Sequence, residues 1–192
     1  MIKLIWLFRT QVIYRLFLGH LGLLSYMGKP LYINKLSKIF IGSRVRIYPN
    51  SRMEAIGKSS SIVFEDNISV GQCLHIVSSG SLVIKKNTTI SANVLITNLD
   101  HEYEEIDVHI MRQKGKENKT EIGENCFLGY GAVIQAGTVL GRQCVVGANS
   151  VVRGKFRDYS VIVGSPARVI KRYDISKLEW RKTNNNGDFL DE

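Results

Sequence analysis

Cysteine and proline are both scarce in this sequence, with three of each. Cys73, Cys126 and Cys144 are odd in number and form no CxxC pair. That excludes a disulfide framework and reads as small buried residues in a reducing compartment. His20, His75, His101 and His109 show no ligand spacing, so no metal is expected. Long apolar runs are missing too. The first thirty residues are rich in Leu, Ile and Phe, but Arg9 and Arg15 interrupt them. No uncharged run reaches the ~18–20 residues that span a bilayer. The stretch between Lys3 and Arg9 is too short for a signal-peptide core, and no small-residue cleavage site follows, so a cytoplasmic protein is expected. There is no Walker-type loop, which excludes a nucleoside triphosphate site of that kind. The net charge is +9, with Lys and Arg spread along the chain, yet no RNP or zinc-finger pattern appears, so nucleic acid is not expected as a partner. The charge leaves three readings: a solvated surface, an anionic lipid surface, or a polyphosphorylated small molecule.

What the chain does have is glycine, 17 in 192 residues, and a repeat. Aliphatic residues recur every six positions at Ile122, Leu128, Ile134, Leu140, Val146 and Val152. Gly123, Gly129, Gln135, Gly141 and Gly147 follow five of them, and small residues stand four places on: Cys126, Ala132, Thr138, Cys144 and Ser150. A period of six fits neither an α-helix nor a heptad. It fits a short strand plus a turn, stacked into a solenoid whose aliphatics point into a narrow core. Glycine at the turns is expected to supply positive φ.

The first half carries the same period with slips. Ile41, Ile47 and Met53 form one run, Ile56, Ile62 and Ile68 a second, Ile84, Ile90 and Ile96 a third. In Leu74-His75-Ile76 the period-two alternation turns the flanking aliphatics inward and His75 outward. Residues 99–120 break the repeat with a charged stretch and the repeat resumes in phase at Ile122, so this is a loop thrown out from a continuous coil. The expected organisation is an N-terminal helical cap over 1–35, a β-helix over 36–167 containing that loop, and a C-terminal segment over 168–192 whose tail TNNNGDFLDE is expected to fray. Residues Ile5 to Leu24 have apolar positions at helical spacing and predict an amphipathic helix. Its stripe would cap the first coil, or, with Trp6, Phe8, Tyr14 and Phe17 beside Lys3, Arg9 and Arg15, lie on an anionic membrane.

ISANVLITNLDH, the loop, IGENCFLGYGAVIQAGTVLGRQCVVGANSVV and the closing GSPARVIKR together resemble the hexapeptide-repeat acyltransferases over about residues 30 to 172. The likeness is to galactoside and maltose acetyltransferases and to capsule and O-antigen O-acetyltransferases, and LSYMGKP is similar to the start of the polysaccharide subgroup. It implies an all-β, left-handed parallel β-helix, a homotrimer with sites between subunits, and acetyl transfer from acetyl-CoA to a sugar hydroxyl. The family's catalytic histidine falls on His101, at the last rung before the loop. An imidazole there can take the acceptor's proton as its oxygen attacks the thioester. A loop glutamate that orients it would be Glu104 or Glu117, and His109 is read as a bystander. Gly129 and Tyr130 match the rung that offers a backbone N–H to the thioester carbonyl. Gly147, Ala148, Arg153, Lys155 and Arg168 match the coenzyme A region, with Arg168 the leading phosphate ligand. His75, Asn93 and Arg112 are acceptor candidates. Phe127 stands where many relatives have Trp.

Other uses of a β-helix fit less well. A zinc carbonic anhydrase needs three converging histidines, which this sequence does not offer. A serine acetyltransferase needs a large helical N-terminal domain for which there is no room. A non-catalytic scaffold would require neither a histidine at the loop entrance nor the PAR ending.

Overall fold

A computed structural model describes residues 2–190. Its body is a parallel β-helix. Each coil contributes one short strand to each of three parallel sheets, with neighbours from successive coils. The first sheet collects His20–Leu21, Ile39–Ile41, Ser61–Phe64, Ser81–Ile84, Glu121–Ile122, Val139–Leu140 and Lys155–Phe156. In the second, Tyr26–Met27, Arg46–Ile47, Ser69–Val70, Thr89–Ile90, Phe127–Leu128, Val145–Val146 and Ser160–Gly164 stack in that order. The third holds Tyr32–Ile33, Arg52–Ala55, His75–Ser78, Leu95–Thr97, Val133–Ile134 and Val151–Val152.

Every aliphatic of the six-residue repeat from Ile122 to Val152 is buried, as are Cys126, Ala132, Thr138, Cys144 and Ser150 at the corners. Each fully buried aliphatic contributes about 1.5–3 kcal/mol, and the backbone of each rung from Ile122 to Val146 is paired above and below. The glycines act differently from the sequence expectation. Positive φ occurs three residues after each of the first five aliphatics, at Asn125, Gly131, Gly137, Gln143 and Asn149. Gly123, Gly129, Gly141 and Gly147 are absent from that set. They serve close stacking instead. A Cβ on Gly123 would collide with the carbonyl of Gly141, and one on Gly129 would lie 2.6 Å from the amide nitrogen of Ala148.

The slips in the first half have a physical cause. Ile41, Phe64 and Ile84 pair in register along the first sheet, at spacings of 23 and 20 residues, whereas Ile122 pairs with Leu140. Four-residue strands at Arg52–Ala55, Ser61–Phe64, His75–Ser78 and Ser81–Ile84 lengthen those coils. Two expectations change as a result. Ile56 lies beyond the end of its strand and is exposed, with Met53 and Ala55 inside. Ile68 is buried as a corner residue, and the inward rung residues are Phe64, Val70 and Ile76.

The coil also starts earlier than residue 36. Leu21, Met27 and Ile33 already stand six apart, and their strands pair with those of the next coil. Helix α1 is correspondingly short, Ile2–Val12, followed by a 3-10 turn at Tyr14–Leu16. It caps the coil with polar side chains, not with its apolar stripe. Thr10 Oγ1 accepts from the Met27 amide, Arg9 donates to the Met27 carbonyl, and Gln11 donates to the carbonyls of Gly22 and Ser25. Arg15 donates to the Leu21 carbonyl. These bonds satisfy a coil edge that no further rung covers.

At the other end, Ala167–Asp174 turns back antiparallel on Ser160–Gly164, and Glu179–Lys182 adds to it. The tail is ordered against this hairpin. Thr183 bridges Phe189, Gly187 packs on Val169, and Arg172 and Arg181 lie over the Phe189 ring. The arginine guanidinium planes supply an aromatic residue with a partner that polar tail composition did not suggest.

Candidate active site

The insertion leaves the coil after Leu95–Thr97 of the third sheet and returns at Glu121–Ile122 of the first. Its two stems pair as an antiparallel ribbon, Leu99–His101 with Gly115–Glu117, His101 opposite Gly115. Gln113, buried at the loop's centre, donates to the carbonyls of Glu105 and Val108 and accepts from the Glu105 amide. His109 Nδ1 accepts from the Met111 amide and caps the 3-10 turn Ile110–Arg112, so its ring serves the loop. Between the charges the loop also exposes Tyr103, Ile106 and Met111. It is more apolar on its surface than its charged composition suggests.

His101 is exposed at the end of the ribbon, with a free ring among the described hydrogen bonds. The residue before it fixes its backbone: Asp100 Oδ1 accepts from the His101 amide at 3.0 Å. Asp100 Oδ2 pairs with Arg153 Nη2 at 2.9 Å, across to the corner that follows Val151–Val152. Glu104 is held by backbone amides, chiefly that of Tyr103, which keeps its carboxyl below the usual range. Glu117 lies against Gly80, where a Cβ would overlap its carboxylate. Neither glutamate bonds the His101 ring within one chain.

Arg153, Lys155 and Arg168 line one open groove of about 380 Å³ with Gly154, Phe156 and Asn186. Three of the cations singled out in the sequence thus converge, and Asp100 links the groove to the histidine strand. Asn185 and Asn186 come from the tail that was expected to fray. No sequence signal marked them, because their place depends on the hairpin and the arginine-stacked Phe189.

The rung after the loop corrects one assignment. The Gly129 amide donates to the Val146 carbonyl at 2.8 Å and is committed to the ladder. The Gly147 amide donates to Ile162 in the same way. The amides of Tyr130 and Ala148, one residue further at equivalent corners, have no backbone partner among the described hydrogen bonds. Tyr130 also joins an acceptor candidate: Asn93 Nδ2 donates to its hydroxyl at 2.6 Å. Asn93 has φ 59° and holds its corner as well. His75 sits on the outer face of the third sheet, between Arg52 and Leu95 in register, with Nε2 3.4 Å from Glu54 Oε1. Glu54 is already bonded to Arg52, which lowers its carboxyl below the ordinary range. Arg112 lies in the loop's exposed 3-10 turn. The described contacts do not bring His75 or Arg112 to His101. Among the described residues no three His, Cys, Asp or Glu side chains gather into a metal site, and no helix is long and apolar enough to cross a membrane.

The family model described as "Hexapeptide repeat of succinyl-transferase" matches residues 119–153. WbbJ of Escherichia coli K12, provisionally named a lipopolysaccharide biosynthesis O-acetyl transferase, is 33% identical over 160 residues, 80% of this chain and 81% of its own. An uncharacterized 24.8 kDa protein in the cps region of Klebsiella pneumoniae is 33% identical over 151 residues, 78% of this chain and 64% of its own. Among solved structures, a point mutant of AntD, an N-acyltransferase from Bacillus cereus in complex with dTDP and coenzyme A, superposes with a TM-score of 0.71 at 17% identity, covering 87% of this chain and 90% of its own. A galactoside acetyltransferase in complex with coenzyme A gives 0.61 at 19%, covering 95% and 77%. The coil is the left-handed parallel β-helix of these structures. By fold, by repeat and by its resemblance to WbbJ, this chain belongs to the hexapeptide-repeat acyltransferases.

Proposed function

We propose that this acyltransferase moves an acetyl group from acetyl-CoA to a hydroxyl of a sugar in surface-polysaccharide biosynthesis, with His101 as general base. One observation carries the reading: the Asp100–Arg153 ion pair joins the histidine strand to a groove lined by Arg153, Lys155 and Arg168. A thioester donor with a phosphate-rich tail needs cations at one end and a base at the other. The provisional name of WbbJ, lipopolysaccharide biosynthesis O-acetyl transferase, points to a glycan acceptor. The coenzyme A held by the two solved acyltransferases supports the donor.

In this reading the acceptor hydroxyl gives its proton to the His101 imidazole as its oxygen attacks the thioester carbonyl. The negative charge on that carbonyl oxygen is met by the Tyr130 N–H, with Gly129 keeping the rungs close enough to present it. Collapse of the adduct expels the thiolate of coenzyme A, which takes the proton back from His101. The Ala148 amide, at the equivalent corner beside Gly147, receives the pantetheine arm. The acceptor lies over Asn93 and the loop, with His75 and Arg112 at its margins.

A trimer completes the site. The ring of His101 and the loop's Tyr103, Ile106 and Met111 face outward, and a second copy would cover them. Light scattering at micromolar concentration should report three chain masses, and a single chain mass would refute the trimer. The reading itself is tested by thiol release from acetyl-CoA with a panel of mono- and oligosaccharides. No sugar-dependent release from a protein that binds acetyl-CoA would overturn it. The groove is tested by Arg168→Ala. Titration calorimetry should show weaker acetyl-CoA binding by roughly tenfold, in the range of a charge-assisted hydrogen bond, and the loss should shrink in high salt. An unchanged dissociation constant would remove Arg168 from the phosphate site.

A further inference from the structure

The basic charge of this chain is not evenly distributed once the acidic residues are counted with it. No Asp or Glu occurs before Glu54, while nine of the 26 Lys and Arg residues do. The 17 that remain are matched by the chain's 17 acidic residues. The whole excess of +9 therefore belongs to α1 and the first two coils, at one end of the solenoid.

The same end carries an apolar surface of unusual orientation. Helix α1 turns its polar side chains toward the protein, where Arg9, Thr10 and Gln11 cap the coil edge. Trp6 packs against Tyr26 and Tyr48, and Lys3 sits over the Tyr48 ring. Leu4, Ile5, Phe8 and Val12, at i, i+1, i+4 and i+8, are left outside, followed by Leu16 and Phe17. Leu23 and Leu24, from the first corner of the coil, extend this face. With Leu4, Phe8 and Val12 they border an apolar hollow of about 580 Å³. Arg44 adjoins Leu23 and Leu24. Asp66 lines the same corner, and its Oδ1 is taken up by the Ser43 amide.

We infer that this end of the molecule docks on an anionic lipid bilayer, α1 lying in the plane of the interface with Leu4, Phe8, Leu16 and Leu24 among the acyl chains. Protruding leucines and phenylalanines beside a chain segment, everything before Glu54, that holds nine basic and no acidic residues match that surface in both apolarity and charge. The chemistry of acetyl transfer plays no part in the inference.

Sedimentation of the full-length protein with vesicles tests it. With equal parts phosphatidylcholine and phosphatidylglycerol in about 0.05 M salt the protein should pellet; in about 0.5 M salt, where screening is stronger, it should return toward the supernatant. Pure phosphatidylcholine should hold little. Phe8→Asp and Leu16→Asp should each abolish pelleting while keeping the wild-type melting temperature, since both side chains are largely exposed. Arg44→Gln, a residue already accepted at the equivalent left-handed corner by Gln143, should weaken partition about fivefold, as one basic residue near such a surface does. The inference fails if wild type stays in the supernatant, if phosphatidylglycerol makes no difference, or if both Asp variants pellet like wild type. It fails as well if either variant lowers the assembly mass in light scattering, because the face would then be an interface between copies.

Discussion

Replacing His101 by alanine should lower kcat for acetyl transfer by about 10²- to 10⁴-fold, the usual contribution of a positioned general base. The affinity for acetyl-CoA should hardly change. The two effects separate because the imidazole stands on the loop ribbon, whereas the groove cations stand on the last coil and its hairpin. Among the described ion pairs and hydrogen bonds, the Asp100–Arg153 pair connects them, and Asp100 engages the backbone amide of residue 101, which alanine keeps. Stability should also be unaffected, since the exposed ring makes no hydrogen bond among the described residues. Stopped thiol-release assays at saturating acetyl-CoA and acceptor, with calorimetric affinities alongside, give the two numbers. A variant within about threefold of wild-type kcat would end the assignment, while a fall in kcat matched by a lost affinity would recast His101 as a binding residue.

The repeat made most of this architecture legible, and the places where it misled share a cause. A hexad states which residues point inward, but not which backbone torsion each turn residue adopts. Gly123 and Gly129 therefore looked like turn formers, while Asn125 and Gly131, two places on, hold the left-handed position. Coil length is likewise set by strand pairing across the chain. Local spacing could not reveal that Ile41 meets Phe64 rather than a residue 18 away. At the site, Arg153, Lys155 and Arg168 were visible as cations after a repeat, and the hairpin brings them into one groove. Asp100 meets Arg153 from far along the sequence, and Asn186 reaches the same groove from the tail, neither of which a local pattern encodes. The loop was misjudged because charge dominates its composition, although Gln113 organises it and its apolar side chains face outward.

The stacking role of glycine carries the other large expected effect, a loss of stability in Gly123→Ala. Where space allows, Gly→Ala stabilises a protein by about 0.4–1 kcal/mol, because alanine has less freedom to lose from the unfolded chain. Gly123 is not among the positive-φ residues, so its backbone conformation suits alanine. Sterics oppose it. The new methyl group would meet the carbonyl carbon and oxygen of Gly141 and the Leu140 carbonyl oxygen, all backbone of the next rung. Backbone held in three ladders cannot swing aside as a side-chain tip can. Relief requires the rungs at Ile122 and Leu140 to separate, which disturbs the buried aliphatic stack and the paired amides at once. Overpacking of this kind costs about 1–3 kcal/mol, which outweighs the gain in the unfolded state and fixes the sign. At Gln135, the same position of the repeat holds a long side chain, so that corner, between the third and first sheets, has the room that Gly123 and Gly129 lack. Gln135→Ala should therefore leave stability within about 0.5 kcal/mol of wild type, as for a surface site. Paired chemical denaturation of the two variants decides the matter: Gly123→Ala as stable as Gln135→Ala would mean that the rungs relax freely and that close stacking does not explain the glycines of this coil.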